Sequence, residues 1–174
     1  MIRRTAVILL LLLAAPVATR AQQWIEHRPA GAGYRVEFPR EPSVSSQDVP
    51  TAVGVMKMHH AAAEVGPTMA FVALHTVYPP GSVKHPETAL DRGRDRAVRG
   101  ETRKLVEERR TTVSGAPAMR LVIEDTRQQL ILVMLIVVRG DNMYQAIFAS
   151  PKGSEESPNG ERFLSSLALT DDSR

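Results

Sequence analysis

The chain contains no cysteine. Disulfide cross-links and thiol chemistry are therefore excluded, and stability has to come from burial and backbone pairing. Aromatic residues are scarce, at 5% of the chain, and Trp24, Tyr34, Tyr78 and Tyr144 are too dispersed to compose an aromatic binding patch. Glycines fall singly at turns, so no Gly-rich loop is present to cradle a phosphate. No serine sits in a Gly-x-Ser-x-Gly elbow, and Ser114-Gly115 and Ser150-Pro151 read as turn serines. Glu107-Glu108 and Glu124-Asp125 are adjacent in strand-like runs, which sends the paired side chains to opposite faces. With neither a nucleophile–base motif nor convergent carboxylates, the sequence predicts a protein that is not an enzyme.

What is present starts with the first 21 residues. Arg3 and Arg4 precede a thirteen-residue apolar run, Ala6 to Ala18, and Thr19-Arg20-Ala21 follows. This is the layout of a secretory signal peptide with cleavage near Ala21. The other reading is a retained anchor, but the run is broken by Pro16 and falls short of the roughly 20 residues that span a bilayer. Cleavage would leave a periplasmic or secreted protein, not an integral membrane one. It would also remove Arg3, Arg4 and Arg20, taking Lys+Arg from 22 to 19 against 19 Asp+Glu. The sequence pI of about 9.6 thus describes the precursor. A formally neutral mature chain gives no ground for nucleic-acid binding.

The remainder fits one domain. Residues 22–33 are a lead-in segment anchored by Trp24, 34–170 the single domain, and 171–174 a polar tail. Tyr34 to Phe38 alternates apolar and polar residues as a half-buried strand does, and Pro39 stops it. Pro42 to Pro50 reads as a Ser- and Pro-rich loop or edge. Val53 to Ala62 and Thr68 to Tyr78 form a hairpin around Glu64-Val65-Gly66-Pro67. Pro86 to Arg99 is a helix closed by Gly100. Strands follow at Lys104–Val113, Ala118–Asp125, Gln129–Arg139 and Met143–Ala149, and Glu161 to Leu167 is a short second helix. The expected fold is α+β, a mainly antiparallel twisted sheet of six to seven strands flanked by two helices. Val133 to Val138 is apolar at both strand parities, which predicts a central strand covered on both faces.

Two clusters carry candidate chemistry. If Ala63 pairs with Thr68, then Met56 faces His75, Met58 faces Ala73 and His60 faces Phe71. Met56, Met58, His60 and His75 would then share one face, in steps of about 6.6 Å along the strand. Thioether plus imidazole suits Cu(I). The alternative is an apolar core face filled by Met, because Phe71 and Ala73 lie opposite, and a register slip dissolves the cluster. On the first helix, Leu90, Gly93 and Ala97 share one side. Arg92, Arg96 and Arg99 form a solvent-facing stripe, able to dock an anionic partner or simply to be solvated. Gly93 mid-helix costs ~1 kcal/mol against Ala, so a close approach to the sheet is expected there.

Tyr34-x-Val36-x-Phe38-Pro39-x-x-Pro42 behind an early Trp resembles the opening of small exported bacterial domains related to the PsbP-like group. Ala89-Leu90-Asp91, Gly115-x-Pro117, Arg139 with Tyr144, and Phe163-Leu164-x-Ser166-Leu167 add to the resemblance, which covers most of the chain beyond residue 21. The chain departs from that group at Ala118, where a second Gly is usual. The resemblance implies an antiparallel sheet flanked by helices and a role in assembly or interaction. The leading functional expectation is an exported, non-catalytic interaction or assembly module with an envelope protein as partner. The alternative is a small-ligand or Cu(I)-binding envelope protein. An open groove would favour a ligand, and a flat apolar or arginine-rimmed patch a protein partner.

Overall fold

The structure is a computed structural model that describes residues 23–52 and 54–171. The expected signal peptide and most of the polar tail lie outside the described residues. In chain order the elements are β1 (Ile25–His27), β2 (Tyr34–Phe38), β3 (Ser43–Thr51), β4 (Gly54–Val65) and β5 (Met69–Val77). Then come α1 (Pro86–Ala97), β6 (Arg103–Val113), β7 (Ala116–Asp125), β8 (Leu130–Arg139), β9 (Asn142–Pro151), α2 (Pro158–Ser166) and β10 (Ala168–Leu169).

Seven strands make an antiparallel sheet in the order β3-β4-β5-β9-β8-β7-β6, and β1-β2-β10 make a small second sheet. As the doubly apolar run requires, β8 is interior and covered on both faces. On one face Val133 and Val137 join Phe71, Tyr144 and Phe148, under Phe163 and Leu164 of α2 and Val36 and Phe38 of β2. On the other, Met134, Ile136 and Val138 meet Leu90 and Ala97 of α1. Trp24 packs its edge on Phe71 at 6.1 Å and lies beneath the Arg162 guanidinium at 4.6 Å.

Both helices come close to the sheet through a glycine. A Cβ on Gly93 would lie 3.3 Å from Ile136 Cδ1, the approach expected from its place beside Leu90 and Ala97. On Gly160 it would lie 2.4 Å from Phe148 Cδ1. Helix α2 begins three residues before the expected Glu161, at Pro158, and so includes Gly160. Helix α1 stops two residues short of the expected Arg99, and Asp95 pairs with Arg94 at 2.9 Å.

The Pro42–Pro50 segment forms the exposed edge strand β3. Its serines carry little β propensity, but nine backbone partners on β4 outweigh that. The opposite edge, β6, is exposed and rich in Lys, Arg and Glu, which discourages further strand addition. Arg110 reaches from β6 to Glu87 at 2.7 Å and to Asp91, tying that edge to α1.

The motif residues behind the resemblance hold the small sheet to the large one. Arg139 donates to the carbonyls of Gly33 (3.2 Å) and Thr170 (2.6 Å). Ser166 Oγ accepts from the Glu37 amide at 2.8 Å and donates to the Phe163 carbonyl at 2.6 Å. These contacts fasten two sheets that share no strand.

Candidate functional site

The β4–β5 register decides what the Met/His cluster becomes. Ala63 pairs with Phe71 rather than Thr68, because Val65 and Met69 close the turn, and every partner moves on by three residues. An odd shift reverses which side chains share a face. Met58 stands opposite Thr76, and His60 opposite Leu74, on the α1 side with Met56. His75 stands opposite His59, on the α2 side, beneath the small sheet. The expected grouping of Met56, Met58 and His60 with His75 is therefore not assembled. Among the described residues no three His, Asp or Glu side chains are grouped to hold a metal ion.

His75 instead belongs to a ring cluster. Parity with Phe71 and Ala73 carries it onto the buried face, where it is 4% exposed. Its ring lies parallel to Tyr144, with centroids 4.7 Å apart and planes within 6°. His59 stacks on it from outside at 5.6 Å, and Tyr34 flanks it at 5.6 Å. His27 meets Tyr34 edge-on at 6.2 Å. His27, Tyr34, His59 and His75 line a cleft of about 500 Å³ between the β1–β2 loop and the β3-β4-β5 end of the sheet. Ala30, Ala32, Val44 and Val77 complete much of the wall, and no Lys, Arg, Asp or Glu lines it.

The cleft's electrostatics follow from burial. His75 Nε2 lies 2.8 Å from Asn142 Oδ1. An amide oxygen can only accept, so Nε2 carries the proton and Nδ1 of the neutral ring presents a lone pair. That Nδ1 is buried and has no hydrogen-bond partner among the described residues. Burial holds the imidazole below its ordinary value, opposed by the Asn142 bond and helped by nearby His59. His27 is likewise lowered by burial, with Glu41 opposing. The Tyr34 phenol is pushed up to about 12 by burial first and by Tyr144 second. At neutral pH the His75 ring is thus uncharged, and its buried Nδ1 is an acceptor that no group among the described residues satisfies.

Sequence reasoning reached His75 but attached it to the wrong face, and it missed His59, His27, Tyr34 and Asn142. The signal was present in part, since Phe71, Ala73 and His75 share a parity with two obvious core residues. Asn142 and His27 come from separate turns, and only the strand order brings them near.

The arginine stripe divides. Arg92 and Arg96 are exposed on α1 and line a second cleft, whereas Arg99 lies past the helix end beside Arg103 and Arg127. Among the described residues, no helix is long and apolar enough to cross a membrane.

No protein-family model and no curated protein matches the chain. Among solved structures it is similar to the PsbP of the cyanobacterium Synechocystis sp. PCC 6803, with a TM-score of 0.55 and 10% identity. That alignment covers 90% of this chain and 98% of the other. A protein of unknown function from Pseudomonas aeruginosa aligns more loosely (TM-score 0.37, 12% identity, 74% of this chain and 83% of that one). So does a protein from Bacteroides thetaiotaomicron (TM-score 0.42, 12% identity, 88% and 51%). At these identities only the cyanobacterial match bears on this chain, and it bears on fold alone. The chain has the PsbP-like α+β fold.

Proposed function

We propose that this protein is an exported, non-catalytic binding module whose His75 cleft takes a small, uncharged, planar ligand bearing an N–H donor. The unpartnered, buried Nδ1 of His75 is the observation that carries this reading. An orphaned acceptor inside a protein costs about 1–3 kcal/mol, and a ligand N–H would recover that cost. The surrounding rings suit a flat molecule, because parallel His75 and Tyr144 already stack in that plane. The walls carry no formal charge to select an ion. Residues 1–21 support export, and an open groove supports a ligand over a flat protein interface.

Indole is a fitting probe, being planar, apolar and endowed with one N–H. Calorimetric titration into the purified protein should give saturable binding. His75→Phe should weaken that binding at least about tenfold, as expected for loss of one buried hydrogen bond. Ala30→Phe, at an exposed position in the cleft wall, should also weaken it by occupying the space. Equal binding by all three proteins would place the ligand elsewhere and overturn the reading.

A further inference from the structure

On the opposite face of the sheet, the second cleft has a chemistry of its own. It measures about 700 Å³ and lies between α1, the Tyr78–His85 loop and the start of β4. Thr88, Arg92 and Arg96 recur every four residues along α1 and so project into it from one side of the helix. Lys84 adds a third cation from the loop. Among the described residues neither arginine nor Lys84 has an ion-pair partner, in contrast to Arg94 on the same helix, which pairs with Asp91, Asp95 and Glu108. No carboxylate lines the cleft. The floor is apolar, made by Met56, Tyr78, Pro79 and Val83, and Met56 is 9% exposed.

The walls are fixed in place. Asp141, in the β8–β9 turn, accepts from the Gly81 amide at 2.6 Å and the Val83 amide at 2.9 Å. Its own carbonyl accepts from the Tyr78 amide at 2.8 Å. At the far side β4 comes so close that a Cβ on Gly54 would lie 3.1 Å from Pro79 Cγ. The Asp141 carboxylate is thus spent on holding the loop.

We infer that this cleft binds a monomeric anionic amphiphile, its carboxylate or phosphate head on Arg92 and Arg96 and its apolar body on Met56 and Tyr78. Guanidinium groups recognise such heads through paired N–H donors, and the (CH₂) stems of both arginines extend the apolar wall. The site is independent of the His75 cleft, which faces the other side of the sheet.

The test is calorimetric titration of the purified protein with decanoate, decanol and inorganic phosphate, and a flotation assay with phosphatidylglycerol vesicles. Decanoate is expected to bind one to one and at least about tenfold more tightly than decanol or phosphate. Arg92→Gln and Arg96→Gln should each weaken decanoate about tenfold while leaving the melting temperature nearly unchanged, since both side chains are exposed and neither has an ion pair to lose among the described residues. Thr88→Glu, exposed in the first turn of α1, should weaken it too by supplying an internal counter-charge to Arg92. Binding of decanoate that none of the three variants alters would overturn the inference. So would vesicle flotation without decanoate binding, which would assign the arginines to a membrane surface.

Discussion

His75 lies flat on Tyr144 across the β5–β9 pair, with ring centroids 4.7 Å apart and planes within 6°. The stack puts an imidazole where water is excluded, so the ring stays neutral in the folded protein at a pH where the unfolded chain protonates.

Acid should therefore weaken the fold in a defined window. The folded His75 pKa lies below the ordinary 6.5, so the unfolded state binds the extra proton as pH falls past that value. Stability should be complete above about pH 6.5 and decline below it, until the folded ring itself protonates. His27 shifts the same way and contributes to the same slope. Melting temperatures measured between pH 7.5 and 5 should fall, and His75→Phe should show a shallower fall than wild type.

The two helix glycines should respond differently to Ala. Gly160→Ala drives a methyl into the Phe148 ring, a core group with no exposure, and should cost about 1–3 kcal/mol by urea denaturation. Gly93→Ala meets the flexible ends of Ile136 (Cδ1 at 3.3 Å) and Met143 (Cε at 3.5 Å) and gains ~1 kcal/mol of helix propensity. It should change stability by less than about 1 kcal/mol.

Arg139 clamps two carbonyls, of Gly33 and Thr170, that join β2 and β10 to the end of β8. Arg139→Ala should cost about 1.5–3 kcal/mol, the range for a charge-assisted hydrogen bond. Hydrogen exchange should localise the effect. The Thr170 amide, bonded to Gly33 O at 2.9 Å, should lose protection before amides in β8 do.

Asp141 is partly exposed, and its carboxyl is held below the usual range because the Val83 and Gly81 amides donate to it. A depressed carboxylate contributes above its unfolded pKa, and that contribution is lost as pH falls through the folded value. Protection of the Gly81 and Val83 amides should thus persist at pH 5 and disappear well below pH 4. In Asp141→Ala it should be absent at both.

Much of the fold was legible because burial leaves periodic marks. The double-parity apolar run at Val133–Val138 marked the central strand, and Leu90, Gly93 and Ala97 marked the buried side of α1. Tyr34, Val36 and Phe38 marked β2 by strict alternation. The exceptions share one cause, since β1, β3 and β10 are short or exposed and take their conformation from partners distant in sequence. The candidate site was less legible. Turn closure at Val65–Met69 instead of Ala63–Thr68 is a small difference in local geometry, but it sends His75 to the opposite face from Met58 and His60. Arg92 and Arg96 were legible as a stripe, while the cleft beneath them depends on Asp141, some 45 residues further on, fastening the Tyr78–His85 loop.

The most direct measurement is the ¹⁵N spectrum of the histidine side chains at pH 7, before and after addition of indole. The expected result is a neutral His75 with the proton on Nε2 and an unprotonated Nδ1, whose resonance alone among the imidazoles moves to a hydrogen-bonded position as indole saturates. A protonated His75, a proton on Nδ1, or an Nδ1 resonance that indole leaves unmoved would contradict the assignment of this cleft as the binding site.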